Sequence, residues 1–238
     1  MRSESRFRGT FSSSIGAMEN FAVKATTVIL SIVLFSSFSC VSTQQEQREA
    51  KDAEFYNDWG IYFGNIGQYD QAIVNFSNAL EISPRYADPY YNRGVAYAKK
   101  GEYDQAISNY TKALEINSRY VDACYNRGIA YGNKGQYDQA ITDFTRVLEI
   151  NPKYAYAYYN RGIAYANKGL YDQAISEYTK TLEIDPKGSD AYYNRAVAFY
   201  FKKEYGKSWD DIGKAKDLGY RVPTEFLDDL RNASGRQD

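Results

Sequence analysis

The chain has 238 residues, a formal net charge of −1, 25 tyrosines and no histidine. Because the net charge is close to zero, there is no basic excess of the kind that indicates a nucleic-acid partner, and we expect none. The missing histidine excludes Ser-His and Cys-His nucleophile pairs and histidine metal ligands. The two cysteines are too few for a disulfide framework, and no GxxxxGK[ST] or GxGxxG motif is present. We therefore expect no catalytic residues, no metal site and no cofactor.

Residues 1–39 have the pattern of a targeting signal. The apolar run ATTVILSIVLFSSFS covers residues 25–39 and directly follows Lys24. This run is shorter than the ~20 residues that span a bilayer as a helix. It fits the apolar core of a secretory signal, which has about 7–15 residues. Met18 is an alternative start of this segment.

Cys40 follows the apolar run and resembles the lipidated cysteine of bacterial lipoproteins. Ser39 fits the small residue before the cleavage point, whereas Ser37 stands where those signals favour leucine. The polar residues 40–52 would then be a tether between the membrane and a folded domain. The resemblance implies an exported, membrane-anchored lipoprotein of the cell envelope that faces the periplasm. The alternative is a generic cleaved signal or an uncleaved anchor, with Cys40 incidental.

The remaining chain is built from an internal repeat. The phrase YYNRGVAYAKKGEYDQAI begins at Tyr90 and returns, slightly changed, at Cys124 and Tyr158, each time 34 residues later. Copying at a fixed period is typical of structural units that bury one another's apolar faces. The repeats cover residues 53–86, 87–120, 121–154, 155–188 and a degenerate 189–220. Positions 1 to 34 are counted below from the first residue of each repeat.

A few positions recur in most of the repeats. They are aromatic at 4, 11 and 24, tyrosine at 17, alanine at 20 and proline at 32, where the second repeat has Ser118, together with glycine at 8: Gly60, Gly94, Gly128 and Gly162. This pattern resembles the tetratricopeptide repeat (TPR). The resemblance implies two antiparallel helices per repeat, stacked into a superhelix with a concave groove. We therefore expect an all-α solenoid of about five helix-turn-helix units.

Local sequence signals agree with that expectation. The phrases KGEYD and KGQYD place a glycine at a turn, and then an aspartate that we expect to cap the second helix. In EINP and EIDP the proline ends that helix. The small residues at positions 8 and 20 are predicted to let the two helices of a repeat approach each other. Cys124, at an otherwise aromatic position 4, is expected to be a small buried hydrophobe.

Arginine recurs at position 7, on the predicted packing side of the first helix. We expect each arginine stem to cover apolar surface while its guanidinium reaches a carboxylate. These residues are Arg93, Arg127, Arg161 and Arg195.

Residues 221–238 contain the phrase VPTEFLDDLRNA, in which Phe226, Leu227 and Leu230 share one helical face. The fifth repeat before it has lost the glycine at 8 and gained Trp209. Because the end of a solenoid exposes apolar surface, we expect this segment to form a capping helix, followed by a frayed tail.

The opposite face of the first helix carries positions 2, 5, 6, 9, 12 and 13. In TPR proteins this face lines the groove. The candidate binding residues are Tyr91, Asn92, Val95, Tyr125, Asn126, Ile129, Tyr159, Asn160, Ile163, Tyr193 and Asn194. An asparagine can hydrogen-bond a peptide backbone without reading its sequence, and a tyrosine adds apolar area with few rotors. Packing between repeats is the alternative role; we favour ligand contact for the asparagines, and both roles stay open for the tyrosines.

The resemblance implies a non-catalytic scaffold that binds another protein, as an extended peptide or a helix. Some TPRs bind a free C-terminal carboxylate with lysines at positions 2 and 5, but here position 2 carries Asp88, Asp122, Tyr156 and Asp190. Such a carboxylate is therefore not the expected ligand. The chain also resembles TPR lipoproteins that help pilus or secretion machinery assemble. The alternative function is a module that associates with itself.

Overall fold

The computed structural model of the protein describes residues 43–236. The chain divides into two compact units, residues 1–54 and residues 55–238. In the first unit the described residues, 43–54, are helical throughout. The predicted signal, its alternative start at Met18 and the predicted lipidation site Cys40 lie outside the described residues. Within residues 43–236 no helix is both long and apolar enough to cross a membrane.

The described residues contain helices and no strands, which confirms the predicted all-α solenoid. Consecutive helices pack in pairs, and each pair is one repeat. Helix α1 covers 43–65, and it is followed by α2 (Tyr69–Ile82), α3 (Ala87–Lys99), α4 (Tyr103–Ile116), α5 (Val121–Asn133), α6 (Tyr137–Ile150), α7 (Ala155–Asn167), α8 (Tyr171–Ile184), α9 (Ser189–Phe201), α10 (Tyr205–Asp217) and α11 (Thr224–Ser234).

Each repeat turns between its two helices at position 15. The backbone there is left-handed, a conformation that glycine adopts without steric cost. The φ angles are 78° at Gly67, 78° at Gly101, 72° at Gly135 and 75° at Gly169, and the fifth repeat places Lys203 there with φ of 62°. The second helices end at Ile82, Ile116, Ile150 and Ile184. The second helix of the second repeat ends at Ile116 although position 32 is serine there; Asn117 Oδ1 accepts the backbone N–H of Arg119 at 3.1 Å in the turn that follows.

The glycine at position 8 packs against an aromatic ring of the second helix. A Cβ added at Gly128 would lie 2.8 Å from Cε1 of Phe144, which is at position 24. The corresponding pairs are Gly60–Phe76, Gly94–Tyr110 and Gly162–Tyr178. The close approach is therefore glycine to ring, and not glycine to the alanine at position 20 as predicted. In the fifth repeat both partners change together, since Ala196 stands at position 8 and Ile212 at position 24.

The arginine at position 7 joins three helices, and the structural role predicted for it is confirmed. Arg127 donates to both carboxylate oxygens of Asp143 on its own second helix, at 2.8 and 2.7 Å. Its Nη1 also donates to Thr111 Oγ1 of the preceding repeat at 3.0 Å. Arg161 bonds to Glu177 and Thr145 and Arg195 to Asp211 and Thr179 in the same way, whereas Arg93 bonds to Ser77 and to the amide of Asn109 in place of the predicted carboxylate.

The aspartate at position 18 does not cap its helix, which corrects the prediction. The residues that precede these helices make no side-chain capping bond, and the aspartate lies in the first helical turn. Its carboxylate instead accepts from a lysine at position 14 of the following repeat. The pairs are Asp70–Lys100, Asp104–Lys134, Asp138–Lys168 and Asp172–Lys202. The sequence separation of 30 residues makes this a contact between repeats.

Helix α11 covers the end of the fifth repeat, as predicted. Leu227 and Leu230 are 8% and 0% exposed and belong to one cluster with Ile212 of α10. Trp209, the residue gained in this repeat, donates from Nε1 to Ser234 Oγ of α11 at 3.2 Å. Apolar packing and this hydrogen bond together hold the helix in place. Cys124 is buried at 1% exposure, as its position predicted.

Candidate peptide-binding groove

The first helices of neighbouring repeats line a row of three equivalent clefts. The clefts have volumes of 190, 260 and 260 Å³ and lie between α1 and α3, α3 and α5, and α5 and α7. Equivalent repeat positions line all three clefts. The row is therefore a property of the repeat and not of one local irregularity.

The floor of each cleft is aliphatic and its edge is polar. In the cleft between α5 and α7, Ile129 and Ile163 from position 9 face each other beside Asn160 from position 6. Room for a guest side chain comes from position 12, where Gly132 has nothing within 4 Å of the point where a Cβ would stand. The predicted residues Asn92, Val95, Asn126, Ile129, Asn160 and Ile163 all line these clefts.

The asparagines at position 6 and the tyrosines at position 5 form a ladder of hydrogen bonds between repeats. Asn126 Nδ2 donates to Tyr91 Oη at 3.0 Å, and Asn160 Nδ2 donates to Tyr125 Oη at 2.8 Å. The ladder continues with Asn194 to Tyr159 at 2.8 Å, and it starts with Asn92 donating to Asn57 Oδ1 at 3.0 Å. Each asparagine therefore joins two repeats at the edge of a cleft.

The tyrosine rings at position 5 pack inside the solenoid and do not line the clefts. The Tyr91 ring lies 6.0 Å from that of Tyr110 and 5.0 Å from that of Tyr120, between centroids. The Tyr193 ring stacks on Tyr220 at 4.7 Å. This packing gives the tyrosines a structural function, and it leaves their hydroxyl groups as the part nearest to the groove edge.

Burial extends the pH range in which these hydroxyl groups stay neutral. It raises the pKa of Tyr125 and of Tyr159 to about 12, and the carboxylate of Asp190 adds to the effect at Tyr159. Burial raises the pKa of Tyr91 as well, with a further contribution from Asp122. A neutral hydroxyl that accepts an amide hydrogen can still donate its own hydrogen. The groove edge therefore offers neutral donors and acceptors, which suit a peptide backbone.

Several cleft residues were not among those predicted individually. Position 13 contributes Lys99, Asn133 and Asn167, and position 17 contributes Tyr69, Tyr103 and Tyr137. The helical wheel did place position 13 on this face, so an asparagine in two successive repeats was a usable signal. Position 17 starts the second helix, and a wheel drawn for the first helix cannot locate it. Within residues 43–236 no cluster of three or more carboxylate or thiol groups is arranged to hold a metal ion.

Comparison with protein families identifies the repeat. Residues 87–120, 121–154 and 155–187 match the model described as tetratricopeptide repeat. Residues 65–101 match a model described as TPR repeat. The matches run from residue 65 to residue 187, which is more than half of the chain. No curated protein matches the chain at a significant level.

Solved structures with a similar fold include three repeat proteins. MamA is 27% identical, with a TM-score of 0.65 over 67% of this chain and 93% of its own. YrrB, described as a TPR protein with an unusual peptide-binding site, is 27% identical with a TM-score of 0.65, over 75% of this chain and 91% of its own. PilF of Pseudomonas aeruginosa is 21% identical, with a TM-score of 0.67 over 79% of this chain and 86% of its own; at this identity the likeness concerns the fold.

Proposed function

Because this chain belongs to the tetratricopeptide repeat family, whose members are generally non-catalytic interaction scaffolds, we propose that it binds an extended polypeptide in the groove along α3, α5 and α7. The observation that carries the proposal is the row of three equivalent clefts with aliphatic floors and amide edges. The likeness to YrrB, which has a peptide-binding site, supports it.

The spacing of the clefts suits an extended chain. Neighbouring packed helices have axes about 8–10 Å apart. An extended peptide rises about 3.3 Å per residue, so that its backbone advances from one cleft to the next in about three residues. The backbone would hydrogen-bond the amides of Asn126 and Asn160, while the apolar side chains on the side that faces the groove would contact the aliphatic floors. The proposed ligand is therefore an extended segment with apolar side chains on the side that faces the clefts.

The negative charge near the groove favours a ligand that carries basic residues between its apolar ones. Position 2 of the groove helices carries the exposed carboxylates of Asp88, Asp122 and Asp190. These groups attract lysine and arginine and repel a terminal carboxylate. An internal, basic segment of a partner protein is thus a better ligand than a free C-terminus.

Gly132 allows a test that separates binding from folding. A leucine at this position would project into the cleft between α5 and α7, and its Cβ meets no atom within 4 Å. Gly132→Leu should therefore keep or raise the melting temperature, because glycine costs about 1 kcal/mol inside a helix. We would select a random phage-displayed peptide library on the folded chain and measure the affinities of the enriched peptides by calorimetry.

The matched control is Gly206→Leu, a helical glycine of α10 that also has open space around its Cβ and lies outside the clefts. Peptides selected on the unmodified protein should bind Gly132→Leu at least tenfold more weakly and Gly206→Leu unchanged. Equal binding to all three proteins would show that the peptides use another surface.

We further propose that the protein acts in a bacterial envelope assembly as an exported lipoprotein anchored through Cys40. The support is the apolar run at 25–39 with a cysteine directly after it. Wild-type protein expressed with a fatty-acid probe should be labelled and should partition into detergent, whereas Cys40→Ser should do neither. Equal labelling of both proteins would contradict the proposed anchor and leave the groove proposal untouched.

A further inference from the structure

Four positions of each first helix meet the preceding repeat. Position 10 is an alanine that packs on the preceding second helix, as Ala96 does against Phe76. Position 3 is small and buried, and Ala123 there contacts the cluster of Ala113 and Leu114. Position 7 is the arginine that reaches a serine or threonine of the preceding repeat, and position 14 is the lysine that reaches its aspartate. Repeats two to five thus use the same four positions to contact the preceding repeat.

The first repeat carries large apolar residues at all four of these positions. Phe55, Trp59, Tyr62 and Ile66 are 57%, 43%, 53% and 50% exposed, and we call them the N-terminal face. The aromatic rings touch one another, since Phe55 to Trp59 measures 6.2 Å and Trp59 to Tyr62 measures 5.6 Å between centroids. In the other repeats these four positions carry residues that are small and buried or that bond to the preceding repeat. In the first repeat they form a continuous, exposed apolar surface.

The opposite end of the array shows what covers such positions. Helix α11 continues the repeat register, so that Leu227 and Leu230 stand at positions 7 and 10 of a sixth unit. Both are buried against the fifth repeat, at 8% and 0% exposure. The second-helix surface that could receive another copy's N-terminal face is therefore already occupied by α11. Helix α11 blocks a head-to-tail contact between two copies, but it does not block a contact between their two N-terminal faces.

We propose that the N-terminal face binds the same face of a second copy across a twofold axis. None of its four side chains is charged at neutral pH, so the same four side chains of two copies can meet without opposing like charges; the nearby Asp58 is at position 6, on the groove side of the helix. An aromatic side chain contributes about 150–250 Å² when fully buried. With about half of that exposed, the three aromatic residues and Ile66 supply roughly 400 Å² per copy, about half of the ~800 Å² per partner in a standard interface. We therefore expect a weak, reversible dimer.

Trp59→Arg is the sharpest variant, because arginine is the residue at position 7 in the other repeats. In the second repeat, Arg93 donates a hydrogen bond to Asn109, which is at position 23. Position 23 of the first repeat is also an asparagine, Asn75, so that the introduced arginine would face the same kind of partner. The variant should fold with an unchanged melting temperature, and it places a charge in the centre of each face. Its matched control is Tyr156→Asp, which removes an aromatic side chain that is 69% exposed outside the N-terminal face.

Sedimentation velocity from 1 to 200 µM, on the full chain in detergent and on a chain starting at Thr43, tests the proposal. The shorter chain keeps the whole compact unit 55–238 with its own core. We expect monomer–dimer exchange for both chains and for Tyr156→Asp, and a dissociation constant at least tenfold higher for Trp59→Arg. Gly132→Leu should dimerise normally, which separates this proposal from the groove.

Three results would overturn the proposal. A monomer at every concentration means that no second copy binds. A dimer that persists in Trp59→Arg uses a different surface. A dimer formed by the shorter chain and not by the full chain means that residues 1–42 cover the face instead.

Discussion

Arg127 illustrates how a single side chain stabilises the interface between two repeats. Its guanidinium makes two hydrogen bonds to Asp143, and both side chains are largely buried, at 16% and 4% exposure. The hydrogen bonds that Arg127 donates to the Asp143 carboxylate raise the pKa of Arg127. The equivalent Arg93 faces the neutral Asn109, and burial lowers its pKa instead. The same position therefore works with a charged partner and with a neutral one.

This difference predicts how substitutions of Asp143 act. Asp143→Ala leaves a largely buried guanidinium without its partner and should lower the free energy of unfolding by about 3 kcal/mol. Asp143→Asn reproduces the pair of the second repeat and should cost about 1 kcal/mol. Urea unfolding of both variants measures the difference, and equal losses would mean that a neutral amide cannot replace the carboxylate as the partner of Arg127.

At the level of the helix pair, the glycine and the ring opposite it form one packing unit. Gly128 and Phe144 leave no room for a methyl group, since the added Cβ would lie 2.8 Å from the ring. The fifth repeat solves the same problem with Ala196 and Ile212. A smaller partner on the second helix thus permits a larger residue on the first.

Gly128→Ala should consequently destabilise the protein by about 1–3 kcal/mol, although alanine normally favours a helix. Adding Phe144→Ile to that variant should recover most of the loss, because the two changes together reproduce the fifth repeat. Phe144→Ile alone is the control, and it should be destabilising because it leaves a cavity beside Gly128. A rescue of less than about 0.5 kcal/mol in denaturant unfolding would show that the two positions are energetically independent.

For the whole molecule, the repeated burial of tyrosine makes alkaline pH destabilising. The pKa of Tyr125 and of Tyr159 is about 12 in the folded protein and about 10 when unfolded. Below pH 10 both states are protonated, and the effect is absent. Between about pH 10 and 12 the unfolded state has lost protons that the folded state retains, so stability falls as the pH rises.

Each of these tyrosines should remove up to about 1.4 kcal/mol of stability per pH unit in that range. Tyr125→Phe should therefore flatten the dependence by this amount. The lysine ion pairs also weaken at high pH, but they do so equally in both proteins. Urea unfolding at pH 9, 10 and 11 compares the two slopes, and parallel slopes would contradict a raised pKa at Tyr125.

The period and the helix boundaries could be predicted because every repeat gives the same signals independently. The glycine at 15 and the proline or Asx residue near 32 act within a few residues of the chain. The partners of individual side chains were harder to predict. Asp104 looks like a local cap in sequence, and its lysine partner is 30 residues away. The wheel likewise placed Gly128 on the packing side, but it could not show that Phe144 fills the space opposite.

The binding groove was predictable to a similar extent. Ile129 and Asn126 line the clefts because helical periodicity alone fixes the face to which they belong. Tyr125 shares that face by sequence, yet its ring lies 5.8 Å from Phe144 and 5.2 Å from Tyr154 between centroids. Ring orientation depends on the curvature of the stack and on neighbours 19 and 29 residues away. Because Asn160 donates to that hydroxyl, substitution of an asparagine should also lower stability, and the cleft glycine is the cleaner probe.

Every internal repeat carries hydrogen-bond donors at positions 7 and 14 and acceptors at positions 18 and 25. In polymer terms, each internal unit therefore has a donor end and an acceptor end. The first unit has Trp59 and Ile66 in place of the arginine and lysine donors, and the last has Gly206 and Gly213 in place of the aspartate and hydroxyl acceptors. These substitutions act as end groups that stop linear growth. The internal units, in contrast, are interchangeable. Duplication of residues 121–154 should therefore yield a folded chain that is one unit longer and carries one additional cleft.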